Sequence, residues 1–289
     1  MYRGRFAPSP TGPLHFGSLL TALASYLEAR QMGGQWLVRI EDTDTPRTRP
    51  EAALAILSTL DWLGFRMDGP VIYQSERSGL YRQEMLRLGD RLFGCGCSRK
   101  LIVDSGEGRY PGTCRAGIGE GKQVRSWRVR VDGNPIEFVD GVQGVYRSNL
   151  EQEIGDFAVM QVGTGIFSYQ LAVVVDDEVQ GITHVVRGAD LLDSTPRQIY
   201  LQRLLGYREM RYLHIPVATG VDGEKLSKQN LAPAIDGLEA AGLLWDALRF
   251  LGQEPPHELR LGKVSDVWEW AAGNWKAAKI PARLMQPAS

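Results

Sequence analysis

Within its first 64 residues the chain alternates twice between a short apolar run and a longer one of helical period, and nothing else in the sequence restricts the fold as strongly. Residues 3–7 read as a strand, broken by the loop Pro8-Ser9-Pro10-Thr11-Gly12-Pro13. Leu19, Leu20, Leu23 and Leu27 then recur at helical spacing, from a start expected near Ser18 to a stop at Gly33-Gly34. Trp36-Leu37-Val38-Arg39-Ile40 reads as a buried strand. Pro50 opens a second helix that carries Leu54, Leu57, Leu60 and Leu63 and closes at Gly64. Strand–helix–strand–helix predicts an α/β fold with a doubly wound parallel sheet, whose ligands bind at the carboxyl ends of the strands. Ser9 and Glu41 both fall at such ends.

The pattern breaks over residues 93–165, which hold all three cysteines, many glycines and the alternating β-type run Ser126-Trp127-Arg128-Val129-Arg130-Val131. This stretch reads as an insertion between two halves of one catalytic domain, residues 1–92 and 166–222. Residues 223–289 form a loop and a short, partly helical C-terminal region. Parallel-sheet character is expected to return at Leu171-Ala172-Val173-Val174-Val175-Asp176-Asp177, followed by a helix over 196–205, a strand over 212–217 and helices over 238–251 and 264–272. Neither the P-loop pattern nor a glycine fingerprint for dinucleotides is present.

With 43% apolar residues the chain can bury a sizeable core, and it has no apolar run long enough to span a bilayer. Three cysteines are too few for a disulfide framework, and the polar start is unlike a signal peptide, so a reducing cytoplasm is expected. The net charge of −1 conceals an asymmetry. Residues 77–130 hold twelve Lys and Arg against five Asp and Glu, a local +7. Such a region suits a phosphate backbone, although an Arg-rich solvated surface has the same composition.

Two short motifs near either end of the first 230 residues carry the chemistry. In Pro8-Ser9-Pro10-Thr11-Gly12-Pro13-Leu14-His15-Phe16-Gly17-Ser18, Gly12 and Gly17 let the backbone approach a ligand closely, and His15 offers a ring N–H. The amides opening the following helix favour an anion. In Lys225-Leu226-Ser227-Lys228-Gln229, flanked by Gly220 and Gly223, two ammonium groups sit three residues apart on a loop. Each motif alone reads equally as a turn or a solvated loop; together, in this order, they suit a nucleoside triphosphate.

The two motifs resemble the HIGH-type and KMSKS-type signatures of class I aminoacyl-tRNA synthetases, in which a carboxylate attacks the α-phosphorus of ATP and pyrophosphate leaves. The segments Arg5-Phe6-Ala7-Pro8-Ser9-Pro10-Thr11-Gly12, Arg39-Ile40-Glu41-Asp42-Thr43-Asp44, Ala172-Val173-Val174-Val175-Asp176-Asp177, Gly181-Ile182-Thr183-His184-Val185-Val186-Arg187-Gly188 and Lys225-Leu226-Ser227-Lys228 are similar to those of glutamyl-tRNA synthetases. Ser18 replaces the second histidine of the first signature, as is usual in that subfamily. Only about 60 residues follow Lys228, too few for helical anticodon-reading domains. The chain thus looks like the shortened paralog family, the glutamyl-queuosine tRNA(Asp) synthetases. His15-Phe16-Gly17-Ser18, Gln229-Asn230 and the cysteine set fit that family.

The resemblance implies a class I synthetase fold with an inserted zinc-bearing α/β domain and a short helical extension. It implies glutamate binding by Arg5, Phe6, Ala7, Pro8, Ser9, Glu41, Tyr169 and Arg187, and ATP binding, with Mg2+, by Gly12, His15, Gly17, Ser18, Lys225, Ser227 and Lys228. His15, Lys225 and Lys228 would be the catalytic group, placed where charge develops on the departing pyrophosphate. Guanidinium forks suit the carboxylates, Glu41 the ammonium, and Tyr169 and Ser9 offer hydroxyls. On spacing alone, Cys95, Cys97 and Cys114 read either as a soft metal site short of a fourth ligand or as buried thiols; the family places Tyr110 in the fourth position, with one structural zinc. His184 reads as a sheet or pocket-wall residue. The partners implied are ATP, L-glutamate and a tRNA(Asp) carrying queuosine, with the protein a monomer away from membranes. A tRNA(Glu)-charging enzyme with a lost anticodon domain and a non-catalytic RNA-binding paralog are the alternatives.

Overall fold

The computed structural model describes residues 1–43, 48–103, 109–220 and 239–287. Lys225, Ser227 and Lys228, with Gln229, Asn230 and Asp44, lie outside the described residues. β1 (Arg3–Phe6) passes through α1 (Phe16–Gln31) to the parallel β2 (Gln35–Ile40), and β2 through α2 (Pro50–Trp62) to the parallel β3 (Ile72–Tyr73). Gly34 makes the first return possible, because a Cβ there would collide with the Tyr2 carbonyl. After α3 (Ser78–Leu86) come β4 (Leu92–Cys95) and α4 (Arg99–Val103), then β5 (Ser126–Val129), a hairpin of β6 (Ile136–Asp140) and β7 (Gly144–Ser148), α5 (Leu150–Glu153) and β8 (Phe157–Gln161). β4, β5 and β8 form an antiparallel sheet. The β6–β7 hairpin does not join them: β6 lies parallel to β10 (Arg211–Ile215), with Asp140 opposite Tyr212.

Residues 171–177, expected as a strand, form the centre of a helix, α6 (Tyr169–Val179). Ser168 caps it, its hydroxyl accepting from Leu171 N at 3.4 Å. Gln170 through Asp177 are all buried, so this helix is wrapped on every side over those eight residues. An apolar run of that length cannot be told from a buried strand by periodicity.

β9 (His184–Gly188) follows, then α7 (Thr195–Leu205) and β10, parallel to β9. Thr183 N–H, just before β9, donates to Arg3 O at 2.9 Å, so the two parallel sheets abut and the strands run β3-β2-β1-β9-β10-β6-β7. The order reverses between β1 and β9, and a crevice at such a point receives the ligand in open α/β sheets. Alternate residues face opposite sides: Trp36, Val38, Val186 and Leu213 enter one core, and Leu37, Val185 and Tyr212 the other.

β11 (Val217–Thr219) pairs with the terminal β12 (Met285–Pro287). Between them α8 (Ala240–Phe250) and α9 (Val264–Asn274) pack on α1 within the first core. Trp275 Nε1 donates to Glu28 Oε1 at 2.6 Å and Trp268 Nε1 to the Leu63 carbonyl at 2.8 Å. Among the described residues no helix is long and apolar enough to cross a membrane.

Candidate functional site

The carboxyl ends of β1, β2 and β9 and the start of α1 meet at the reversal point. The loop after β1 is tied to β2 where Glu41 N–H donates to Pro8 O at 3.0 Å, and to the approach of α2 where Arg49 N–H donates to Pro10 O at 3.0 Å. Pro8 is thereby buried, Ala7 half-buried and Ser9 exposed. His15 is the N-cap of α1, which begins two residues earlier than expected; Ser18 N–H donates to its Nδ1 at 3.3 Å, and Ser18 Oγ lies 3.0 Å from Nε2. Gly17 and Ser18 thus occupy the first helical turn, a setting that favours an anion; the Ser18 N–H is taken by the His15 cap, so of these two amides it is the one at Gly17 that can meet a ligand. Gly12 lies in the preceding loop.

Buried charge is concentrated behind this loop. Arg39, fully buried, pairs with Glu41 at 3.1 Å, Asp177 at 2.7 Å and Asp176 at 3.7 Å. Arg5 Nε donates to Asp177 Oδ1 at 3.1 Å, and Phe6 turns away into the opposite core. Asp176 also accepts from Arg77 Nε at 2.6 Å, Tyr81 Oη at 2.7 Å and Gln74 Nε2 at 2.8 Å. Burial alone would raise the Asp177 carboxyl, but the Arg39 and Arg5 guanidiniums overcome it and hold the group below the usual range. Burial dominates at Glu41, whose carboxyl is pushed up despite Arg39 and Arg5. A ligand ammonium would relieve that cost.

Arg187, only 4% exposed, is built differently. It donates to Tyr169 Oη at 3.2 Å, His214 Nε2 at 3.0 Å, Thr195 Oγ1 at 2.8 Å and Leu191 O at 3.4 Å. No carboxylate among the described residues pairs with it directly. Burial keeps the Tyr169 phenol protonated, its pKa raised, so its hydrogen is available to an acceptor. Arg187 Nη1 and Tyr169 Oη together present two donors suited to one carboxylate.

Arg5, Glu41, Tyr169 and Arg187 therefore gather around one crevice, with His15 and the start of α1 beside it. The residues that orient them do not stand out in the sequence: Arg39, Asp176 and Asp177 are visible there only as parts of motifs, and Asp140, Thr195 and His214 not at all. Acidic side chains inside the apolar run 171–177 are the available signal, since buried carboxylates need cationic partners.

The cysteines lie apart from this crevice, at one end of the β4–β5–β8 sheet. The sulfurs of Cys95, Cys97 and Cys114 lie within 4.8 Å of one another, Cys97 and Cys114 at 3.7 Å, and Tyr110 Oη is 3.5 Å from Cys95 Sγ. Thiolates about 2.3 Å from a tetrahedral ion stand about 3.8 Å apart, so the three sulfurs are spaced as ligands of one ion would be, with the Tyr110 hydroxyl beside Cys95. Burial opposes ionisation of Cys95, yet hydrogen bonding to Tyr110 and the nearby Arg128 bring its thiol down to about 7.

Two comparisons bear on the family. A model described as "tRNA synthetases class I (E and Q), catalytic domain" matches residues 1–94 and 115–251. A glutamyl-Q tRNA(Asp) synthetase of Dechloromonas aromatica is 56% identical over 98% of this chain and 97% of its own length. The chain belongs to the glutamyl-Q tRNA(Asp) synthetase family of class I synthetases. A second member, from Aromatoleum aromaticum, is 50% identical over 99% of this chain and 93% of its own. The fold is also that of a glutamate tRNA ligase from Elizabethkingia meningosepticum, solved with its amino acid: TM-score 0.83 at 23% identity, covering 100% of this chain and 67% of that one.

Proposed function

We propose that this enzyme joins glutamate to ATP as glutamyl-adenylate without tRNA, then transfers the glutamyl group to queuosine in the anticodon loop of tRNA(Asp). The observation that carries the amino acid assignment is Arg187: a buried guanidinium with no carboxylate in direct contact among the described residues, next to a protonated phenol, calls for an anionic ligand group. In this reading the side-chain carboxylate of glutamate meets Arg187 and Tyr169, the ammonium meets Glu41, and the α-carboxylate lies toward Arg5 and the loop through Ser9. One oxygen of that carboxylate attacks the α-phosphorus of ATP, the bond to the bridging oxygen breaks, and pyrophosphate leaves with Mg2+. His15, the amide at Gly17, the hydroxyl of Ser18, and Lys225, Ser227 and Lys228 stabilise the phosphate charge. A hydroxyl of queuosine then attacks the acyl carbon and AMP departs. Zinc held by Cys95, Cys97, Tyr110 and Cys114 would staple the insert, outside the reaction. The names of the relatives support the choice of acceptor.

Glutamate-dependent ATP–pyrophosphate exchange without tRNA tests the first half. Glutamine should exchange roughly 10⁴-fold less well or worse, because it leaves the buried guanidinium without its anion. Arg187→Ala should abolish exchange while ATP binding persists. Wild-type exchange in that variant, or exchange only when tRNA(Glu) is added, would defeat the reading.

A further inference from the structure

We infer that Asp140 and His214 are positioning residues that hold Arg187 in register for the substrate's side-chain carboxylate. The inference rests on the glutamate assignment to Arg187 proposed above. Both residues are buried, His214 completely, and they come from the neighbouring strands β6 and β10 inside the sheet. Arg187 Nε donates to His214 Nε2 at 3.0 Å. A guanidinium has no acceptor, so Nε2 must be bare and the imidazole must carry its proton on Nδ1. Nδ1 lies 2.6 Å from Asp140 Oδ2. The carboxylate is itself fixed by main-chain donors: Val142 at 3.0 Å and Gln143 at 2.9 Å on Oδ1, and His214 N–H at 3.1 Å from both oxygens.

Asp140 thus sets the tautomer of His214, and the tautomer makes His214 an acceptor for Arg187. Thr195 Oγ1 takes Nη2 at 2.8 Å and lies 3.2 Å from the same imidazole nitrogen. The protein therefore holds the Nε and Nη2 side of the fork and leaves Nη1, with Tyr169, to the ligand. The arrangement also answers an electrostatic problem. A carboxylate in direct contact would compete with substrate for Arg187, whereas none at all would leave a buried charge uncompensated. Placing the anion one imidazole away compensates the charge and keeps the donors available.

The test is exchange kinetics on the full-length enzyme, with KM for glutamate and ATP, kcat and Tm measured for Asp140→Asn, His214→Phe and His214→Gln. In Asp140→Asn the three main-chain donors claim the amide oxygen and turn its nitrogen to Nδ1. The imidazole proton is then forced onto Nε2, against the Arg187 N–H, as when the aspartate of a Ser-His-Asp triad becomes asparagine. KM for glutamate should rise about 10- to 100-fold, by analogy with the loss seen when the partner that orients a metal-ligating side chain is removed. KM for ATP should stay near wild type, while Tm should fall in a protein that still folds, because the buried Arg187 charge loses its compensating anion. His214→Phe should behave likewise, and His214→Gln, whose amide oxygen can accept from Arg187, should recover most of the glutamate affinity. If the phenylalanine variant does not fold, Asp140→Asn, which preserves shape, decides. The proposal is overturned if folded Asp140→Asn keeps the wild-type glutamate KM, or if glutamate and ATP KM rise together and His214→Gln recovers nothing. A wild type that does not use glutamate, or an Arg187→Ala variant with unchanged glutamate KM, would instead fault the underlying assignment.

Discussion

Asp177 holds two guanidiniums, Arg5 at 3.1 Å and Arg39 at 2.7 Å, in a space almost closed to water. Asp177→Asn would leave both cations short of charge while keeping the volume. Breaking a buried pair from one side typically costs about 3–5 kcal/mol, and a urea titration at neutral pH should find a loss of that order. The sign of the pH dependence follows from the lowered carboxyl pKa. Stability from the ionised Asp177 is present above the unfolded value, about 4, and is lost as pH falls through the lower folded value. The gap between wild type and variant should therefore narrow in acid; a gap constant from neutral pH to below 3 would contradict the charge account. Glu41 is legible as a site candidate because it stands at the end of a readable strand, and Arg5 because it belongs to a motif of the family and offers a guanidinium fork to a carboxylate. Asp177 and His214 are not, because their partners lie 172 and 27 residues away and only the folded sheet brings them together.

At the level of elements, the N-terminal alternation was readable because each helix has its own stop: α1 ends before Gly33, and α2 before Gly64. α6 was not readable, since an apolar run buried on all sides cannot be told from a buried strand by its period. The β6–β7 hairpin escaped for another reason: its outward residues Val139 and Val145 are exposed and apolar, which blurs the alternation. The α6 assignment has a direct consequence. Tyr169 is the first residue of that helix, immediately after the Ser168 cap. Ser168→Ala should cost about 1 kcal/mol, as loss of an N-cap hydroxyl commonly does. It should also loosen Tyr169, raising KM for glutamate with little change for ATP. A variant of unchanged stability and unchanged glutamate KM would show that the cap holds neither the helix nor the phenol.

For the molecule as a whole, the +7 of residues 77–130 overstates what remains for RNA. Arg77, Arg87, Arg91 and Arg115 pair with Asp176, Glu84, Asp132 and Asp156. Arg128 and Arg130 lie over the rings of Tyr110 and Phe93. Arg77 ties the segment before α3 to α6, Arg87 lies on α3, and Arg91, Arg115, Arg128 and Arg130 organise the insert and its junction; composition could not reveal this, because a count does not say which charges already have partners. Arg82, Lys100, Lys122 and Arg125 are exposed and make no ion pair among the described residues. If the enzyme acts on the anticodon loop as proposed, they are the natural groups to meet its phosphates. Replacing Arg82, Lys122 and Arg125 by alanine together should weaken tRNA binding and lower the slope of log K against log salt by about 0.7–0.9 for each phosphate no longer neutralised. Tm and glutamate-dependent exchange should hold. Arg115→Ala should do the reverse, destabilising the insert, because its partner Asp156 is buried. An isolated tRNA(Asp) anticodon stem-loop bearing queuosine should accept glutamate nearly as well as the whole tRNA, its guanosine counterpart should not, and the triple variant should lose activity on the stem-loop in proportion to its weakened binding. A triple variant that binds and glutamylates the stem-loop like wild type would move the RNA track to another face. Charging of the terminal ribose of tRNA(Glu) in place of the stem-loop would instead remove the anticodon loop from the reaction.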